Sequence, residues 1–445
     1  MKKFRYKSIV ILAFLLAGCQ AFVENTSEFD PTRPVDADMK LVVTGMEVEF
    51  IGTMEGDLAR TAGMWSGYFT GVDRQYIPLN NYVSTAVDYV TAWNNVYSFT
   101  LKQSRIVQDK ANVLGDRITL GIAQIIEANI IGTAAALWGD IPYSQAINLT
   151  QFPNPAYDPQ AQVIASLLPL LDAAIANLNS GVGTTGGNLP LNATTTQYIA
   201  AAHSLKARYY LYQKDYANAL AEANLGVSSN ANNITGKHGT TNDQDRNIYY
   251  DFTQRQRVGY MTAKSAFLPQ RLTARASAKT DETARLKFFY TGGVGAYDLN
   301  VSATGFFGSA SSFPIVTYYE TRLIAAEADA KLNNGITVNG LAALNAVRAA
   351  LAVQFPTGKY LAYVAADFAD VNAFIKEVQE EKWIDLIGQI EGFNEIRRTN
   401  NSVGVPINVG TQLPQRYIYS QNEINSNTST PNPIPDLFTK TAIFQ

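Results

Sequence analysis

Apolar residues recur at helical spacing over much of this chain. Ile118, Ile122, Ile126, Ile130, Ala134 and Leu137 stand three or four apart, which places them on one face of a long helix. Tyr198, Ala202, Leu205, Tyr209 and Tyr212 repeat the spacing. After a break at Lys214-Asp215, Tyr216, Leu220, Ala223 and Val227 carry it on. A third pair is predicted from Tyr319, Leu323, Ala326 and Ala330, followed by Leu341, Leu344 and Leu351. Ile375, Val378, Trp383 and Leu386 predict a last helix, and Tyr89, Trp93 and Tyr97, four apart, are expected to face a core. The pair at 196–227 has the layout of a tetratricopeptide unit, two helices joined by a tight turn. Ala219 and Ala223 would let the helices approach, and Tyr209 and Tyr216 would fill the space between. The period between pairs is not constant. The expected fold is mainly α: a tetratricopeptide-like helix-pair scaffold over about 85–227 and 315–400, with long irregular loop insertions, the largest at about 228–314. The polar segment 422–438, NEINSNTSTPNPIPDLF, is expected to form a weakly ordered tail.

A different pattern stands at the start. Lys2, Lys3, Arg5 and Lys7 precede an apolar run from Ile9 to Ala17, and Leu16-Ala17-Gly18 leads into Cys19. The run is too short to cross a bilayer, which needs about 20 residues, so it reads as a secretory signal. L-A-G-C is similar to the bacterial lipobox, in which the cysteine is lipidated and becomes the new N-terminus. The expected organisation is a signal peptide at 1–18, a flexible tether at 19–40 from lipidated Cys19, and one helical domain at 41–445. No second apolar run is expected to approach transmembrane length.

Composition narrows the partners. The net charge is −3, and removal of the four basic leader residues makes it −3 − 4 = −7. Such acidity argues against nucleic acid, whose phosphates are bound by clustered Lys and Arg. With a single cysteine, Cys19, no internal disulfide can form.

Few residues suggest catalysis. The two histidines, His203 and His238, read as a packed or surface helix residue and a solvated loop residue. No H-E-x-x-H, Cys/His cluster, G-x-S-x-G or P-loop occurs. Glu380, Glu381, Asp385, Glu391 and Glu395 lie near Lys382, Arg397 and Arg398. They read as an exposed charged face, each pair contributing about 0.2–1 kcal/mol, with a glycosidase-type carboxylate pair as the functional alternative. Asp-rich NDQDRN at 242–247 is thin support for calcium, and neither metal nor cofactor is expected. Aromatics are the better lead. The stretch from Trp65 to Tyr82 is broken by Gly67, Gly71, Pro78 and two asparagines, so it reads as a loop. Rings on loops offer flat apolar faces beside polar groups, which suits sugars or peptides. The candidate ligand-binding residues are Trp65, Tyr68, Tyr76, Asn80, Asn81 and Tyr82, with core packing as the alternative for each. Tyr249, Tyr250, Tyr297, Phe306 and Phe307 form a second, weaker set.

Three segments, in order, complete the reading: AALWGDIPYSQA at 135–146, YYETRLIAAEADAKL at 318–332 and EKWIDLIGQIEGFNEIRRTN at 381–400. Together with the lipobox they resemble the SusD/RagB family of outer-membrane lipoproteins, in its SusD-like branch. Two features depart from the family pattern: Thr283-Ala284-Arg285 stands where Asp-Pro-Arg is frequent, and Gln20-Ala21-Phe22-Val23 precedes the first acid, Glu24. The resemblance implies a non-catalytic, lipid-anchored protein of the outer membrane, facing the cell exterior. Its partner would be a TonB-dependent, SusC-like transporter, which it covers as a lid. Its cargo would be a nutrient, an oligosaccharide first and a peptide second, and its irregular insertions would form the ligand face.

Overall fold

The structure is a computed structural model that describes residues 37–240 and 245–445. The expected signal peptide, Cys19 and most of the tether lie outside the described residues, as do positions 242–244 of the calcium candidate. The chain is mainly helical, as the spacing predicts. The principal helices are α1 (Met39–Glu55), α2 (Asp57–Trp65), α3 (Lys102–Leu114), α4 (Arg117–Trp138), α5 (Gln160–Asn179), α6 (Thr195–Tyr212), α7 (Tyr216–Leu225), α8 (Tyr318–Asn333), α9 (Val338–Gln354), α10 (Val371–Asp385) and α11 (Glu391–Arg398).

Short polar side chains start seven of these helices, α1, α4 and α6 to α10, because each satisfies a backbone N–H that the first turn leaves unpaired. Asp116 Oδ1 accepts from Thr119 N at 3.0 Å, Asp215 Oδ1 from Asn218 N at 3.1 Å, and Thr337 Oγ1 from Gly340 N at 2.9 Å. Thr194 and Gln197 form a reciprocal capping box at the start of α6. Between α6 and α7 the chain turns through Lys214, whose φ is +60°.

Consecutive helices stack in sequence: α3 on α4, α4 on α5, α5 on α6, α6 on α7, α7 on α8, and α8 on both α9 and α10. At the centre of the α6–α7–α8 stack the contacts are small, with Ala207, Ala219, Ala223, Ala325 and Ala328 buried together. Helix α4 is buried along its whole apolar length, the pattern of a core helix. Both α4 and α5 have the length and apolarity of a membrane span, contrary to the expectation that no later run does; in α4 that composition serves the core. Tyr209 packs towards α4: its hydroxyl donates to Ala128 O at 2.7 Å, beside Gly132. A Cβ at Gly132 would stand 2.1 Å from that hydroxyl, so only glycine fits where these helices meet.

The insertion at 228–314 is more regular than its composition suggests. An antiparallel ladder pairs Ile234 with Val316 and Gly236 with Phe313, joining its two ends. Between them lie short helices at Phe267–Ala274 and Thr283–Phe289, and further ladders tie Thr70–Gly71 to Met261–Thr262 and Thr280–Asp281 to Lys359–Tyr360. The C-terminal segment is likewise packed, not loose. Tyr417 N donates to Leu137 O at 2.8 Å, and Trp138 Nε1 to Ile418 O at 2.9 Å. Further on, Asn427 Nδ2 donates to Pro155 O at 2.9 Å, and Leu437 and Phe444 are buried. Polar composition misled here because backbone and amide groups find partners on α4 and the loop that follows it.

Two expectations about charge are corrected. The acids of α10 and α11 do pair with bases, but in the interior. Glu380 and Glu381 are buried against Arg271, Arg275 and Arg285 from the insertion, while Glu327 of α8 holds Lys382 and Arg398. The bases that cover α10 are about a hundred residues distant in sequence. His238 is not solvated either: its side chain is 5 % exposed, and Nε2 lies 2.7 Å from Glu55 Oε2 at the end of α1.

Candidate ligand-binding cavity

The stretch from Trp65 to Tyr82 is not one exposed loop, because its glycines and proline punctuate short elements. Helix α2 runs through Trp65, Gly67 (φ +75°) reverses the chain, Thr70–Gly71 pairs as a strand, and Tyr76–Asn80 forms a short helix. This scatters the six predicted residues. Trp65 is 1 % exposed; its indole Nε1 donates to Leu79 O at 2.8 Å, and its ring meets Phe393 and Tyr417 edge-on at 5.3 and 5.2 Å. Tyr68 is wholly buried against Trp383, ring centroids 5.3 Å apart. Neither ring offers a face to a ligand; both belong to the core, where large aromatic faces gain most from leaving water. Tyr82 is buried too, and its hydroxyl accepts from Asn408 N at 2.9 Å. Asn80 and Asn81 are half-buried in a hollow of about 290 Å³ lined also by Phe267 and Pro406, and Asn80 Oδ1 accepts from Gly71 N at 3.0 Å.

Tyr76 alone of the six lines a larger cavity, of about 410 Å³. Its walls come from five separate segments: α2, the short helix of Tyr76, the 3₁₀ turn Ala86–Tyr89 with Ala92 just beyond it, the wide-turned helix Phe252–Gln256, and the C-terminal segment through Tyr417. Arg60 of α2 is the centre of this site. Its Nε donates to Tyr76 Oη at 2.9 Å, its Nη2 pairs with Asp57, and its guanidinium carbon lies 4.2 Å from the centre of the Phe252 ring. The Tyr76 and Phe252 rings are 5.1 Å apart. Burial works against the Arg60 cation, but Tyr76 and Asp57 outweigh it and hold its affinity for the proton above that of a free guanidinium. Arg60 Nη1 is buried and has no partner. An orphaned donor in a folded protein costs about 1–3 kcal/mol, and a ligand oxygen would relieve that cost. Gln75, Asp88, Gln256 and Arg257 form an exposed polar rim.

Sequence reasoning missed Arg60, Phe252 and Tyr417 here. One signal was legible: Arg60 is the single base inside the otherwise apolar stretch LARTAGMW. Tyr89, expected in a core, is buried against Tyr417 at 5.0 Å and lines the same cavity. The second aromatic set divides as well. Tyr249, Tyr297 and Phe307 are buried, Tyr250 is half-buried, and half-buried Phe306 lines a separate cavity. Among the described residues no group of three or more His, Cys, Asp or Glu side chains is placed to hold a metal ion.

Residues 31–420 match the SusD-like_2 family model, described as "Starch-binding associating with outer membrane". The chain belongs to this SusD-like family. Solved structures share its fold at low identity. A SusD/RagB family protein from Bacteroides thetaiotaomicron VPI-5482 is 18 % identical with a TM-score of 0.63, over 88 % of this chain and 95 % of that one. A SusD homolog from Bacteroides vulgatus ATCC 8482 is 17 % identical with a TM-score of 0.69, over 91 % and 97 %. A chitin-binding protein is 19 % identical with a TM-score of 0.69, over 92 % and 100 %. No curated protein sequence matches the chain.

Proposed function

We propose that this chain is a non-catalytic capture protein, anchored to the outer membrane through Cys19, that binds a neutral oligosaccharide in the Arg60 cavity. It then delivers the sugar as the lid of a SusC-like, TonB-dependent transporter. The observation that carries the binding step is Arg60 Nη1, a buried, unpartnered donor beside the Tyr76 and Phe252 rings. A sugar ring has an apolar face for an aromatic and hydroxyls for a fixed donor, and this pairing supplies both. Polar rim residues from several segments would meet the hydroxyls further along a chain. Membership of a family described as starch-binding supports the ligand class, and the chitin-binding neighbour is consistent with it.

No residue of the stacked helices α4 to α9 lines the cavity, which is built from α2, the segments that follow it, the insertion and Tyr417. That division suits a rigid scaffold for the transporter and a ligand face apart from it. Calorimetry of the full chain against a panel of neutral glycans and short peptides tests the ligand class. Saturable heat with a glycan and none with peptides is expected; the reverse would make it a peptide carrier. Release of reducing sugar from a bound glycan would overturn the non-catalytic reading.

A further inference from the structure

A second cavity, of about 310 Å³, shares no lining residue with the first. It lies where the insertion meets the ends of α8 and α9. Phe288 and Phe306 come from the insertion, Tyr319 from the first turn of α8, and Phe355 from just beyond α9. The Phe288 ring stands 5.7 Å from Phe306 at 84° and 5.4 Å from Phe355 at 57°. At the buried end are Arg285 and Asp385, whose side chains are 0 % and 4 % exposed. Asp385 Oδ1 accepts from Arg285 Nη2, and Arg285 Nη1 is taken by Glu381 at 2.6 Å. Asp385 Oδ2 is buried without a partner.

The unpartnered oxygen sets the chemistry. Burial pushes the Asp385 carboxyl up, and Arg285 beside it pulls the other way. Protonated, Oδ2 needs an acceptor; ionised, it needs a donor. A hydroxyl supplies either. An anion would meet Asp385 and Glu381, and a cation would meet Arg285. A sugar carries hydroxyls around its whole rim; of the polar lining that could meet them, Asn230, Tyr319 and Gln354 already bond one another, and Phe288, Phe306 and Phe355 offer no partner. We propose that this cavity is a second ligand site for a small neutral aromatic alcohol, with its ring among Phe288, Phe306 and Phe355 and its hydroxyl on Asp385 Oδ2.

The test is a fluorine NMR titration of the full chain in detergent, with a matched detergent blank, using 4-fluorophenol and fluorobenzene as probes. 4-Fluorophenol is expected to bind saturably and at least tenfold more tightly than fluorobenzene. Gln354 is exposed at the rim, so Gln354→Trp should abolish binding while leaving the melting temperature of the protein unchanged. Phe306→Ala should weaken binding, and Arg60→Lys should leave it intact, which separates this site from the first. Equal affinity for the two probes, or binding that survives Gln354→Trp, would overturn the proposal.

Discussion

Tyr68 and Trp383 are locked together in both directions. The Tyr68 hydroxyl donates to the carbonyl oxygen of Trp383, and the Trp383 indole Nε1 donates at 3.0 Å to the carbonyl of Ser66, two residues before Tyr68. This contact fastens the end of α2 to the end of α10, and it holds the segment that carries Tyr76 against the C-terminal helices. A ring that looks like a sugar platform in sequence is thus a structural clasp.

Tyr68→Phe keeps the ring and leaves the Trp383 carbonyl buried without its donor. The expected loss is about 1–3 kcal/mol, read by denaturant unfolding, with ligand affinity unchanged. If Tyr68→Phe weakened ligand binding at full stability, Tyr68 would be a binding residue after all.

Gly132→Ala forces a methyl group into the Tyr209 hydroxyl. Alanine ordinarily favours a helix over glycine by about 1 kcal/mol, but overpacking at a buried crossing costs about 1–3 kcal/mol. The net effect should be destabilising, measured as a lower melting temperature. A stabilised variant would mean that α4 and α6 are not in close contact.

Stability should fall as pH rises through the neutral range. Glu47 is buried, and burial raises its carboxyl to about 7 even though Leu191 N and the Tyr198 hydroxyl donate to it. A raised folded value means the folded state holds the proton more tightly. The resulting stabilisation is complete below about 4.5, the value of a free glutamate, and is lost as pH climbs through about 7. His238, raised by its partnership with Glu55 against the effect of burial, adds to the same slope above the free histidine value. Glu47→Gln should flatten the fall between pH 5 and 7 in denaturant titrations; an unchanged slope would remove Glu47 from the account.

Cys19→Ser should release the protein from the membrane fraction and stop uptake of its cargo while leaving ligand affinity intact. Continued sedimentation with membranes would mean that attachment does not depend on the proposed lipid.

Helices were legible because their signal is local. Ile118 to Leu137 predicts α4 to within a residue or so, and Thr194-x-x-Gln197 marks the start of α6. The cavity was not legible, since Arg60, Tyr76, Tyr89 and Phe252 are brought together only by the packing of four segments. The same holds for His238, buried by Glu55 from α1, and for Glu381, covered by Arg275 and Arg285. Glycine, proline and asparagine between Trp65 and Tyr82 do break regular structure, as their chemistry dictates. Whether the broken segment lies outside or inside depends on Trp383, more than three hundred residues away.

The central claim is that the spare donor of Arg60 holds a sugar. Calorimetric titration of the wild type and of Arg60→Lys with the best-bound neutral oligosaccharide tests it most directly. Lysine keeps the charge but loses the planar fork, and a lost hydrogen bond to a charged donor is worth about 1.5–3 kcal/mol. The account predicts affinity about ten- to a hundredfold weaker, in a protein that is still folded at the titration temperature although its melting temperature falls with the lost Tyr76 and Asp57 contacts. Equal affinity in the two proteins would contradict it.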